Sequence, residues 1–117
     1  MSKRVDLSTV GDVAVVRLKD SRLVEDPITA ELAEELYEMA RIGEHNKMLI
    51  NFEEVTFMTS AMLNVLIALK KKAAKTNTGL SLCSISSLIM EAFGIAKLKG
   101  EFDIHANERG ALAALNR

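Results

Sequence analysis

Met48-Leu-Ile-Asn-Phe52 and, three residues on, Val55-Thr-Phe-Met-Thr-Ser-Ala-Met-Leu-Asn-Val-Leu-Ile-Ala-Leu69 run from a short apolar block through a loop into a longer amphipathic stretch. The first block has the length and composition of a buried strand. The second, from Ser60 to Lys75, repeats its apolar residues at helical spacing and stops before the polar cluster Thr76-Asn-Thr-Gly79. Leu80-Ser-Leu-Cys83 then reads as another buried strand. Strand, helix and strand in succession imply a crossover between parallel strands of one sheet.

The same alternation extends in both directions. Val5, Leu7 and Val13 to Leu18 predict two short antiparallel strands with Gly11-Asp12 as their turn. Asp26-Pro27 is placed to open a helix, with Asp as N-cap and Pro at the first helical position. Ile28, Leu32, Leu36 and Met39 share one face of it, and Gly43 is placed to close it. Downstream, Ser87 begins a third helix that Gly94 is expected to end. Phe102 to His105 predicts a last strand, and Asn107 caps a helix from Glu108 to Leu115. The fold class is therefore α/β. The expected architecture is a mixed, mostly parallel sheet of four to five strands with about four helices, in a single domain over residues 1–117.

The totals narrow the function. Hydrophobic residues make 49% of the 117 and charged residues 26%, the balance of a globular chain. A formal net charge of −1 offers no field for a phosphate backbone, and four Phe with one Tyr and no Trp make a poor stacking platform. Nucleic acid is not an expected partner. No stretch reaches the twenty or so apolar residues that span a bilayer, and Met1 to Asp6 lacks the apolar centre of a signal peptide. A single cysteine, Cys83, forms no internal disulfide. Cytoplasmic residence without membrane insertion is the expectation.

The chemistry concentrates where the second helix begins. Thr59 and Ser60 fall at that point, and a hydroxyl there can accept a hydrogen bond from a free N–H of the first turn. The same N–H groups and the positive end of the helix dipole favour a phosphate carried by the hydroxyl. Capping and phosphorylation are thus alternative readings of these two residues. On a helical wheel Leu63, Leu66 and Ile67 form one apolar stripe, expected to face the sheet. Met62, Val65 and Leu69 form a second, which either packs on a neighbouring helix or, with Met58, offers a partner an adaptable surface. Such a stripe also leaves a weak homodimer open.

Phe57-Met-Thr-Ser-Ala-Met-Leu-Asn-Val-Leu66, set after a strand, resembles the signature of the anti-sigma factor antagonists, or STAS domains, whose matching stretch reads approximately Phe-Ile-Asp-Ser-Ser-Gly-Leu-Gly-Val-Leu. The resemblance extends to the opening strand pair, the Gly79 to Cys83 strand, the Leu88 to Leu98 segment with Phe93 and Gly94, and the Phe102 to His105 ending. It implies that Ser60 is a phosphoacceptor. It further implies that the unmodified chain binds an anti-sigma factor that is often also a serine/threonine kinase, freeing a sigma factor. Phosphorylation breaks that complex and a phosphatase restores it. The docking surface so implied comprises Met58, Thr59, Ala61, Met62, Asn64 and Val65.

Four positions depart from the pattern. Thr59 replaces the Asp, Ala61 the second Ser, and Met62 and Asn64 the two Gly. Thr59 becomes an alternative acceptor, and side chains stand where Gly would let a partner come close. These departures leave room for a second function of the same fold, a constitutive scaffold subunit of a signalling or lipid-transport assembly.

Other polar groups do not assemble into a site in the sequence. Glu53 and Glu54 are adjacent and point to opposite sides of an extended chain. Asp103 and His105 share a face but are too few to hold a metal, and His45 lies in a polar loop far from His105. Lys70-Lys-Lys72 suits a helix C-terminus, and Cys83 reads as a small apolar filler. No nucleophile, base and orienting group recur together, so neither an enzyme nor a cofactor is expected.

Overall fold

The Gly11-Asp12 turn, with Gly11 at φ 63°, joins β1 (Val5–Val10) to β2 (Val13–Leu18), which pair antiparallel in the register Val10 to Val13 through Val5 to Leu18. In the computed structural model, which describes residues 4–24, 28–42 and 46–116, β2 then pairs in parallel with β4 (Lys47–Asn51). That strand pairs in parallel with β6 (Gly79–Cys83), and β6 with β7 (Asp103–His105). The order is β1-β2-β4-β6-β7, so the chain adds each parallel strand on the same side of the one before. Crossovers of one hand advancing in one direction put their helices on one face.

Those helices are α1 (Ile28–Ile42), α2 (Ser60–Lys75) and α3 (Ser87–Ile95), and they close the larger core over Val16, Leu18, Ile50 and Leu82. The expected α1 face holds, with Leu32 and Leu36 at 0% exposure and Ile28 and Met39 packed at the margin. α4 (Glu108–Leu115) covers the opposite face, where Ala111, Leu112 and Leu115 meet Val13, Val15, Leu49 and Cys83. The nearly continuous burial along β2 follows from its being covered on both sides: Val13 and Val15 point one way, Ala14, Val16 and Leu18 the other. Cys83 is the small filler expected of it, at 0% exposure, and burial raises its thiol pKa.

The α3 end differs from expectation. The helix runs on through Gly94 to Ile95, and Ala96 is its C-cap. The left-handed residue is Lys97 at φ 60°; its N–H donates to the Gly94 carbonyl at 3.1 Å, and the Leu98 N–H to the Phe93 carbonyl at 2.7 Å. This is the paired hydrogen bonding of a Schellman ending, three residues beyond the glycine. Asn77, at φ 56°, ends α2 in the same way. The roles expected of Asp26, Pro27, Gly43 and His45 lie outside the described residues.

A second, two-stranded parallel sheet was not legible in the sequence: β3 (Arg22–Leu23) pairs with β5 (Phe57–Met58). It lies just before α2 and positions that helix's first turn.

Candidate functional site at the start of the second helix

In a parallel sheet, each helix that follows a strand begins at the sheet's carboxyl edge, the usual place for recognition in α/β folds. β4 ends at Asn51 and the chain turns at once, the Val55 N–H donating to the Phe52 carbonyl at 2.9 Å. Phe52 at 0% and Val55 at 2% exposure anchor the turn in the core, while Glu53 and Glu54 point into solvent. The chain is then held against β3. The Thr56 N–H and Oγ1 both donate to the Ser21 carbonyl, at 2.7 and 3.0 Å, and the Thr59 N–H donates to the Leu23 carbonyl at 3.1 Å. Leu23, at 0% exposure, is fixed in its turn. Ser60 therefore emerges from a pinned loop.

Thr59 is the N-cap, with extended backbone at φ −90° and ψ 170°, but its side chain makes no capping hydrogen bond. Its Oγ1 is shut off from water and has no hydrogen-bond partner among the described residues. The capping role expected of a hydroxyl here is thus not filled by Thr59, and the alternative acceptor is corrected. An oxygen that water does not reach is not open to a kinase.

Ser60, the first helical residue, is exposed. The first turn of α2 carries no acidic residue, so the positive end of the dipole meets no side-chain carboxylate from its own helix. A dianion on the Ser60 oxygen fits this spot electrostatically. At the other end Lys72, of the expected basic run, stands in the last turn together with Lys75.

Of the stripe expected to face the sheet only Leu66 is fully buried, and of the two alternatives for the Met62 stripe the packed one holds. Met62, Leu66 and Leu69 are at 0% exposure, Ala73 at 1% and Val65 at 9%; these face the core. Leu63 and Ile67 are only half-buried at its margin. Met62 and Val65 are therefore corrected from docking residues to core residues. The sequence held the signal: the Met62 stripe stays apolar down to Ala73, whereas the Leu63–Ile67 side turns into Lys70 and Lys71 within one turn. Of the remaining candidates, Asn64 is exposed one turn along from Ser60, and Met58 and Ala61 are half-buried beside it.

Asp103 and His105 do come together. The Ser81 hydroxyl donates to Asp103 Oδ2 at 2.6 Å, and His105 Nε2 lies 2.9 Å from the same oxygen. The Ser81 hydrogen bond, then His105, hold the Asp103 carboxyl below its usual range. Both bonds end on the same carboxylate oxygen, and among the described residues no hydrogen bond joins the imidazole to the serine hydroxyl as a nucleophile–base pair would need. Among the described residues no three metal-ligating side chains cluster, and no helix is long and apolar enough to cross a membrane.

The STAS domain family model matches residues 5–111. The chain belongs to the STAS family. An anti-sigma-factor antagonist (STAS) domain protein from Planctomyces limnophilus matches with a TM-score of 0.86 at 19% identity, covering 97% of this chain and 98% of that one. SpoIIAA, a Bacillus cell fate determinant solved in its phosphorylated form, matches with a TM-score of 0.73 at 19% identity over 95% and 98% of the two chains. A form of RsbS from Moorella thermoacetica gives 0.77 at 18% identity over 97% and 96%. At these identities the likeness is one of fold. No curated protein sequence matches.

Proposed function

We propose that this STAS domain is a regulatory protein-binding module: an anti-sigma factor antagonist that binds an anti-sigma factor with serine/threonine kinase activity and is released by phosphorylation at Ser60. The observation that carries this reading is the contrast between two neighbouring hydroxyls. Ser60 stands in solvent at a helix start with no carboxylate in its first turn, while the Thr59 oxygen is enclosed. Adding nearly two negative charges to a chain of formal net charge −1 changes this one place more than any other. Ser60, Asn64, Ala61 and Met58 would be covered by the partner, and a dianion among them would be desolvated or opposed by carboxylates. A related fold, SpoIIAA, has been solved both phosphorylated and unphosphorylated, which supports the same logic for this chain. The action is by binding, and a phosphatase would reset it.

Intact mass after incubation with the cognate kinase and ATP tests the acceptor. One phosphate on the native chain and none on Ser60→Ala is the expected result; phosphate retained by Ser60→Ala sinks the assignment. Partner capture by native chain and by Ser60→Asp tests the switch. Equal capture would favour a constitutive scaffold instead.

A further inference from the structure

Ser60 follows the end of β5 by two residues. β5 packs against α3, and both carry apolar side chains into solvent: Phe57 is 39% exposed, Leu88 62% and Ile95 84%. The inner side of α3 is committed to the core through Ile89 at 3% and Phe93 at 0%, so Leu88, Glu91 and Ile95 make its outer stripe. Cations edge this strip. The Arg22 guanidinium lies 4.7 Å from the centre of the Phe57 ring. Lys97 follows Ile95 by two residues, and Lys99 runs beside Gly94, its Cε 3.4 Å from where a Cβ would stand. Among the described residues none of these three cations has an ion-pair partner. Lys70 and Lys47, by contrast, are paired with Glu101 and Asp12. Glu91 is the single carboxylate on α3, and Glu53 and Glu54 belong to the loop after β4.

We propose that Phe57, Leu88 and Ile95 extend the Ser60 docking face, and that its occupant is a partner protein presenting an apolar helix flanked by carboxylates. The proposal rests on the switch reading and names the partner's chemistry. Apolar residues rimmed by unpaired cations are complementary to apolar residues rimmed by anions, a pairing that sets specificity and association rate. A second copy of this chain suits the strip less well, since its own strip would bring three cations and the single carboxylate of Glu91 to face the same excess of positive charge. The same chemistry explains the switch: a phosphate on Ser60 would neutralise the cationic rim and repel the partner's carboxylates.

Two fluorescein-labelled helical peptides of about 18 residues serve as probes, with the same Leu/Ile face and either Glu or Lys on the polar face. The Glu peptide is expected to bind at least about tenfold tighter at low salt, and to weaken as ionic strength is raised. Lys97→Glu with Lys99→Glu should lower its affinity by about tenfold at unchanged melting temperature, and Leu88→Asp should abolish binding. Equal binding of both peptides, preference for the Lys peptide, or binding of neither overturns the proposal. So does concentration-dependent dimerisation of the native chain that Leu88→Asp removes. A Ser60→Asp arm separates the two ideas. If the Glu peptide binds Ser60→Asp as well as native chain, the partner chemistry stands and the switch falls. If the peptides are not discriminated while Ser60→Asp still releases the native partner, the strip alone falls.

Discussion

Arg17 and Glu108 form a two-pronged ion pair between β2 and the start of α4, Nε to Oε1 at 3.0 Å and Nη2 to Oε2 at 2.7 Å. The geometry is the parallel fork that makes Arg–carboxylate pairs directional. Asn51, at 3% exposure, adds a third donor, its Nδ2 lying 2.9 Å from Glu108 Oε1, and its Oδ1 accepts the Glu53 N–H at 2.7 Å. Two neighbouring strands, β2 and β4, thus converge on one carboxylate. The cluster ties α4 to the carboxyl edge without touching the Ser60 face.

Glu108→Ala would strand the buried Asn51 donor and free the Arg17 fork. The ion pair itself is partly solvated and contributes little, on the order of 1 kcal/mol. The unsatisfied Asn51 amide adds about 1–2 kcal/mol. A loss of roughly 2–3 kcal/mol in urea unfolding is expected, against less than about 1 for Arg17→Met, which leaves Asn51 paired. Equal losses from the two variants would show that the amide contributes nothing.

Acid should act on the same face. Glu108 is held below its usual range by the Arg17 hydrogen bond first and then by Asn51, and Asp103 by Ser81 and then His105. A depressed folded pKa means that the unfolded chain binds the proton more readily. The stability these groups contribute is therefore present above their unfolded values, near pH 4, and is lost as pH falls through the lower folded values. Urea midpoints measured from pH 7 down to pH 3 should fall more steeply for the native chain than for an Asp103→Asn, Glu108→Gln variant. Parallel curves would remove the two carboxylates from the account.

Met62 and Asn64 separate the core side of α2 from its open side. Met62→Ala deletes a side chain at 0% exposure and should cost about 2–5 kcal/mol. Asn64→Ala alters an exposed position and should stay within about 0.5 kcal/mol. Chemical denaturation of both variants checks the ordering. Comparable stabilities would restore Met62 to the surface.

The alternation of strand and helix, the antiparallel opening pair and the bounds of α2 and α4 could be read from the sequence because each rests on several residues of consistent period. β3 and β5 could not: two residues apiece have no period, and their pairing joins positions 35 apart. Gly94 misled because a glycine is the usual helix stop, yet here the left-handed residue is Lys97, a side chain that pays a conformational cost of about 1 kcal/mol. The candidate site was legible as far as its backbone position. Which way Met62 pointed depended on the full length of the helix, and the enclosure of the Thr59 oxygen depended on β3, which local sequence does not reveal.

Thr59 offers the sharpest test of the site's construction. Among the described residues its enclosed hydroxyl has no hydrogen-bond partner, so it contributes a desolvation cost and no compensating hydrogen bond. Valine has nearly the same shape and no polar atom. Thr59→Val should therefore raise stability by about 1–2 kcal/mol, where most substitutions at a helix N-cap lower it by about 1. The backbone hydrogen bonds that hold the loop, from the Thr59 N–H to Leu23 and from the Met62 N–H to the Thr59 carbonyl, use no side chain and should survive. Ser60 would then keep its place, and phosphate incorporation by the cognate kinase should match the native chain within about twofold. Calorimetric melting and intact-mass phosphorylation measured on the same variant check both halves. Loss of stability would mean that the hydroxyl caps the helix after all, and loss of phosphorylation with stability intact would place the acceptor on Thr59.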